Sequence, residues 1–90
     1  MSIVAVKIKI MPNSPEVSIV ELEKHIKDIL EEEGVKNPNF EIQPIAFGLK
    51  AVIAMFGWPE EKELDTLEAE LGKIKDVGSV QILDIRRAIG

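Results

Sequence analysis

The chain has 90 residues, with sixteen acidic and eleven basic side chains and a net charge of −5 at pH 7. One domain spanning residues 1–90 is the expectation for this length. The absence of cysteine excludes disulfides, thiolate zinc sites and cysteine nucleophiles. The negative charge argues against a broad phosphate-binding face, because nucleic-acid binding depends on lysine and arginine.

The start of the chain does not have the pattern of a targeting segment. Residues Met1 to Val4 become apolar at once, without the basic region and cleavage site of a signal peptide. The longest apolar run, Ala51 to Gly57, is far shorter than the ~20 residues that cross a bilayer. We therefore expect a soluble, cytoplasmic protein that has no membrane partner.

The first predicted element is a strand. Residues Ile3 to Met11 alternate between two sets of side chains, which is the period of a half-buried strand. The set predicted to be buried is Val4, Val6, Ile8 and Ile10. The run Pro12 to Pro15 predicts a turn after the strand, because proline cannot donate a ladder hydrogen bond and asparagine and serine favour turns.

A helix is predicted next. Ser18 and Glu21 have the spacing of a capping box, in which the serine side chain accepts a hydrogen bond from the backbone three residues later. Apolar residues follow at helical spacing, and Gly34 predicts the helix end as a left-handed cap. The last turn, Glu31 to Glu33, opposes the helix dipole at a cost of about 0.3–1 kcal/mol.

Two further strands are predicted around a hairpin. One begins at Phe40, and Pro44 within it indicates an edge position or a bulge. The next runs from Leu49 to Phe56, and the run Gly57-Trp58-Pro59 predicts its end. Trp58 is interpreted as a lid on the boundary between helix and sheet.

The remaining elements complete the predicted fold. Apolar residues at helical spacing predict a second helix, and they are Leu64, Leu67, Leu71 and Ile74. A fourth strand is predicted from Val80 to Ile85, followed by a short tail from Arg86 to Gly90. The order β-α-β-β-α-β predicts an α+β, ferredoxin-like sandwich, with a four-stranded antiparallel sheet and two helices on one face.

The sequence offers little for catalysis or metal binding. His25, the only histidine, lies on the first helix beside the apolar stripe, and we interpret it as a surface or boundary residue. Glu31 to Glu33 and the pair Glu60-Glu61 are interpreted as solvated helix ends. The phosphate-cradling P-loop motif is absent. We therefore expect no catalytic residue, no metal and no cofactor.

Two functions known for the same strand order are disfavoured. An RNA-recognition domain stacks bases on aromatic residues of its sheet, but the predicted strand from Leu49 to Phe56 has one aromatic residue and one lysine. An acyl-phosphate hydrolase would need an arginine after the first strand to hold the phosphate, and the run Met11 to Pro15 has no basic residue.

Two features leave alternatives open. In the predicted hairpin, Phe47 either packs on the core while Gly48 supplies turn geometry, or it is an exposed apolar anchor for a partner. Arg86 and Arg87 form the only adjacent basic pair of this acidic chain. They are either a solvated strand end or a cationic finger directed at an anionic site.

Three segments of the sequence resemble one known family. The run Pro44-Ile45-Ala46-Phe47-Gly48-Leu49-Lys50 is similar to the hairpin of the exchange domain in the elongation factor 1-beta family. Val80-Gln81 with Asp84-Ile85 resembles the last strand of that domain. The opening strand with Met11-Pro12 and Ser14 to Val17 resembles the archaeal form, a free-standing protein of about this length.

The resemblance implies a protein that promotes exchange of GDP for GTP on the GTPase elongation factor 1-alpha during protein synthesis. It implies no enzyme chemistry, no cofactor and no direct contact with nucleic acid. Partner contacts are implied at Phe47 and Gly48, with Lys50 as a weaker candidate. A ferredoxin-like module that senses a small ligand or binds another protein is the competing hypothesis.

One position departs from the family. Eukaryotic relatives carry a lysine next to the chain end, which reaches the magnesium and phosphate region of the GTPase. This chain ends Ala88-Ile89-Gly90. Either Arg87, helped by Arg86, fulfils the role of that lysine, or exchange follows from distortion of the GTPase by the body of the domain.

Overall fold

The computed structural model describes residues 2–87, which form six elements around one sheet. Their bounds are β1 Ile3–Pro12, α1 Ile19–Glu32, β2 Asn39–Pro44, β3 Lys50–Pro59, α2 Leu64–Gly72 and β4 Val77–Arg87. The four strands are antiparallel in the order β2-β3-β1-β4. The predicted ferredoxin-like fold is confirmed, and Pro44 lies in an edge strand as expected.

The core lies between the helices and one face of the sheet. Every second residue of β1 is buried there, as the alternation predicted, and each faces a buried residue of β3. The helices contribute Leu22, Ile26 and Leu30 from α1 and Leu67 and Leu71 from α2. Each such side chain contributes about 1.5–3 kcal/mol on burial, so this layer holds the two helices on the sheet.

The ends of α1 follow the predicted signals. The Ser18 Oγ accepts a hydrogen bond from the Glu21 backbone N–H at 3.3 Å. The helix ends at Glu32, and Gly34 follows in the left-handed region with a φ of 91°. Within residues 2–87, no helix is both long and apolar enough to cross a membrane.

Lys62 supplies the positive charge that the last turn of α1 lacks. Its Nζ donates to the Glu33 backbone carbonyl at 2.8 Å and lies 3.0 Å from the Glu33 Oε1. The same Nζ is 4.6 Å from the centroid of the Trp58 ring. A cation at this end of a helix is favourable, so the unfavourable glutamate run is offset by a residue of the β3–α2 turn.

The prediction that Gly57-Trp58-Pro59 ends the third strand is wrong. β3 continues to Pro59, because β1 reaches back to Ile3 and offers pairing along that whole length. Trp58 therefore lies opposite Val4 with 1% of its surface exposed, and its Nε1 donates to the Lys62 carbonyl at 2.9 Å. It is a core residue rather than a lid.

The last strand is also longer than predicted. It begins at Val77, and it places Arg86 opposite Ala5 and Arg87 opposite Val4. The two arginines are strand residues, not a tail. Residues 88–90, the rest of the predicted tail, lie outside the described part of the chain.

We expect Lys62→Met to lower the free energy of unfolding by about 1 kcal/mol, because it removes a charged donor from the end of α1 while keeping the apolar stem. Urea unfolding followed by Trp58 fluorescence measures the change. Lys36→Met is the matched control, since Lys36 is exposed and has no ion pair with any residue from 2 to 87. Equal stability of the two variants would contradict the role of Lys62.

Candidate functional site

The β2–β3 hairpin closes in a turn whose backbone conformation is unfavourable for the phenylalanine at position 47. The Leu49 N–H donates to the Ala46 carbonyl at 3.2 Å, and the Ile45 N–H donates to the Leu49 carbonyl at 2.8 Å. Both central residues have positive φ, 59° at Phe47 and 78° at Gly48. Hairpin turns of this kind favour Asn-Gly, whereas a bulky residue with positive φ is an outlier. The turn geometry expected of Gly48 is confirmed.

Phe47 is fully presented to solvent. Its side chain is 93% exposed, so it does not pack on the core. Its side chain therefore adds little buried area to the fold, and backbone strain of this kind is concentrated at functional positions. Lys50 begins β3 beside the turn and is also exposed.

The two arginines at the end of β4 are each held by a carboxylate of the same chain. Arg87 Nη2 donates to the two carboxylate oxygens of Glu60 at 2.8 and 3.1 Å. Arg86 Nε lies 2.7 Å from the Asp84 Oδ2. The arginine side chains are 77% and 80% exposed, so solvent screens both pairs and each contributes about 0–1 kcal/mol.

These candidate residues lie at opposite ends of the molecule. The hairpin end contains Phe47, Gly48 and Lys50. It lies beside the loop that follows β1, because a Cβ built on Gly48 would be 3.8 Å from the Pro15 Cβ. The arginine end contains Arg86 and Arg87, which pair with the first residues of β1. The ten residues of β1 separate the two ends by about 30 Å. The structure therefore does not bring the predicted residues into one site.

The histidine considered for acid–base chemistry is a surface residue. His25 is exposed on α1, as predicted. In the part of the chain that the structure describes, no group of three or more histidine, aspartate or glutamate side chains is placed to hold a metal ion.

Comparison with known proteins identifies the family. Residues 5–88 match the EF-1 guanine nucleotide exchange domain. The chain belongs to the elongation factor 1-beta family. A relative named elongation factor 1-beta from Methanococcus aeolicus is 42% identical over 87 residues, covering 94% of this chain and 97% of the relative.

Two further relatives carry the same name. The one from Archaeoglobus fulgidus is 42% identical over 86 residues, covering 94% of this chain and 97% of the relative. The one from Methanocaldococcus jannaschii is 37% identical over 89 residues, covering 98% and 100%. The family is thus matched along almost the whole chain, and its described function is guanine nucleotide exchange.

A solved structure shares the fold. The chain named BlrP1 BLUF is similar with a TM-score of 0.61 at 14% identity, over 98% of this chain and 56% of that chain. At this identity the similarity concerns the fold alone.

Sequence reasoning missed the carboxylates that hold the arginines. Glu60, predicted to be a solvated helix end, lies next to β1, where its backbone N–H donates to the Ser2 carbonyl at 2.9 Å. Arg87 is 27 residues away in sequence. No local pattern links two residues at that distance; the pairing register of β1 with β3 and β4 would have been needed to bring them together.

We expect Phe47→Asn to raise the free energy of unfolding by about 1 kcal/mol, because asparagine adopts positive φ more readily than phenylalanine. Chemical unfolding measures the change. Ala46→Asn is the matched control, since Ala46 is also exposed but does not have positive φ. Stabilisation by both substitutions, or by neither, would show that the φ of Phe47 stores no strain.

Proposed function

We propose that this chain promotes exchange of GDP for GTP on elongation factor 1-alpha during protein synthesis, acting as one exchange domain over residues 1–90 in the cytoplasm. The observation that carries the proposal is Phe47, an exposed aromatic residue on a strained turn, in a chain whose family is described by nucleotide exchange. The GTPase is the proposed partner; nucleic acid, membrane and cofactor have no part in it.

The proposed activity makes and breaks no covalent bond, so the chain is not an enzyme in the chemical sense. It requires tighter binding to the nucleotide-free GTPase than to the GDP-bound GTPase. By thermodynamic reciprocity, the chain then weakens GDP binding by the same factor. Only surfaces that contact the GTPase are needed for this activity.

We propose Phe47, Gly48 and Lys50 as partner contacts at the hairpin end. Aromatic residues carry a large share of interface energy when a partner pocket buries them. The turn supports this role because it holds Phe47 away from its own core. The Phe47→Asn variant should therefore bind the GTPase less tightly although it is the more stable protein.

At the arginine end, the two hypotheses for exchange remain. Two unit charges about 4 Å apart interact by about 4 kcal/mol at an effective dielectric of about 20, so a cation brought near the partner's magnesium would weaken binding of the ion. Arg87 would have to leave Glu60 to do so. Because that exposed pair is weak, leaving Glu60 costs Arg87 only about 0–1 kcal/mol.

The alternative function, a module that senses a small ligand or binds an unrelated protein, is not favoured. The relatives match over almost their whole length under one name, elongation factor 1-beta. The similarity to BlrP1 BLUF concerns the fold only.

The first test is release of a fluorescent GDP analogue from elongation factor 1-alpha of the same source, chased with excess GTP. Substoichiometric amounts of this chain should accelerate release, because each molecule dissociates when GTP binds and acts again. Unchanged release from a GTPase shown to bind and hydrolyse GTP would overturn the proposed function.

The second test separates the two hypotheses for the arginine end. If Arg87 supplies the cation, Arg87→Ala should slow exchange about tenfold or more, equivalent to ~1.4 kcal/mol or more of lost coupling. Arg86→Ala should have a smaller effect. Glu60→Ala is the matched control, because it removes the same ion pair but keeps the cation.

Unchanged exchange in the Arg86→Ala, Arg87→Ala double variant would exclude the cation hypothesis and leave distortion by the body of the domain. Equal losses in Arg87→Ala and Glu60→Ala would show that the ion pair matters by holding the end of β4, not by its charge.

A further inference from the structure

The face of the sheet opposite the helices, which we call the open face, carries a groove near the arginine end. Its volume is about 410 Å³, and its lining includes Ile3, Ala5, Lys7, Met55, Gly57 and Asp84. Ala5 and Gly57 are register partners of β1 and β3, so at this point the open face has a methyl group opposite a bare backbone. The groove exists because these two paired positions have almost no side chain.

The shape of the groove depends on Gly57. A Cβ built on Gly57 would lie 3.1 Å from the Ile3 Cγ2, which is tighter than ordinary packing. Ile3 therefore forms a wall whose methyl group rests against bare backbone, and it is 45% exposed. Glycine inside a strand weakens the strand and marks a close approach of another group. The intramolecular contact with Ile3 accounts for one such approach, and an open apolar surface remains beside it.

Charge is segregated between the two layers of the molecule. Residues 13–38 and 60–76, the helices with their flanking segments, carry fourteen acidic and six basic side chains, a net charge of −8. The four strands carry five basic and two acidic side chains, a net charge of +3. Together they give the −5 of the whole chain. An acidic partner is therefore repelled by the helix layer and attracted by the sheet.

One cation of the open face, Lys7, lines the groove, and two others share that face of the sheet. Lys7 and Lys9 alternate with the buried residues of β1, and Arg86 lies opposite Ala5. Asp84, the acidic residue of the lining, is engaged by Arg86 at 2.7 Å. Lys7 has no ion pair with the other described residues, so its charge is available to a partner.

We propose that the groove receives an apolar side chain from an acidic surface of the GTPase, with Lys7 beside it meeting a carboxylate of that surface. The inference rests on the proposed function and adds a third contact region to the hairpin end and the arginine end. Because Arg86 is the register neighbour of Ala5, this region continues directly from the arginine end along the open face.

The apolar and charged parts of this contact affect different rates of binding. An apolar group seated in a cleft sets how long the complex lasts, whereas charges around it set how fast the complex forms and make that rate depend on salt. Both signatures can be measured on the complete chain with nucleotide-free GTPase.

The test of the groove is Ala5→Leu, which fills it with a side chain that strands tolerate. We expect the dissociation constant for the GTPase to rise about tenfold or more, chiefly through faster dissociation. Ala69→Leu, the same change at an exposed position of α2 in the acidic layer, should bind like the unchanged chain. Thermal unfolding followed by Trp58 fluorescence shows that both variants are folded.

The test of the charge is Lys7→Glu, which keeps the groove open if Ala5→Leu disturbs the sheet. Its association rate should fall about five- to tenfold at low salt, with the difference shrinking as salt rises. Lys24→Glu, an exposed lysine of α1, is the control and should leave the association rate within about twofold.

The outcomes separate the two proposals. Wild-type affinity in either Ala5→Leu or Lys7→Glu would overturn the groove assignment while the proposed function stands. No binding and no exchange by the unchanged chain would overturn both. A homodimer seen by light scattering and lost in Ala5→Leu would assign the groove to a second copy of the chain and overturn the GTPase assignment.

Discussion

The pairing of β1 with both neighbours is the constraint on which the rest of the molecule depends. β1 is the first element of the chain, yet it lies inside the sheet and is paired along its length with β3 and β4. Its buried residues form the floor of the core, and its other residues form the open face. The same register sets which residues meet at each end, so one strand fixes the core, the open face and the spacing of the two ends.

Two residues that are unfavourable for their local backbone structure lie in the proposed contact regions. Phe47 occupies a turn position that favours asparagine, and Gly57 occupies a strand interior that favours a β-branched residue. Natural sequences violate local rules mainly where function requires it. By contrast, an unfavourable feature of α1, its glutamate-rich end, is compensated within the fold by Lys62. Compensation of this kind separates a structural irregularity from a functional one.

Hydrophobic periodicity and capping residues were enough to predict the type and order of the helices and strands. The alternation of β1, the Ser18 cap, the Gly34 end and the order of elements could all be found locally. The ends of β3 and β4 could not, because Gly57-Trp58-Pro59 resembles a turn and Arg86-Arg87 resembles a solvated tail. Only tertiary pairing with β1 keeps these residues in strands. The exposure of Phe47 and the groove at Ala5 depend on packing and register, so neither could be obtained from spacing alone.

The position of the contacts on a paired strand has a consequence for how exchange would work. A strand that is hydrogen-bonded on both sides is among the least deformable parts of a protein, and β1 holds the hairpin end and the arginine end about 30 Å apart. A partner that engages both ends must adapt to this spacing, since the sheet cannot. In the proposed complex, the binding energy gained at Phe47 and in the groove would then be available to hold the GTPase in the shape that releases GDP. On this view, the two hypotheses for exchange are compatible. The rigid sheet that would distort the GTPase also positions Arg87, whose charge would repel the magnesium.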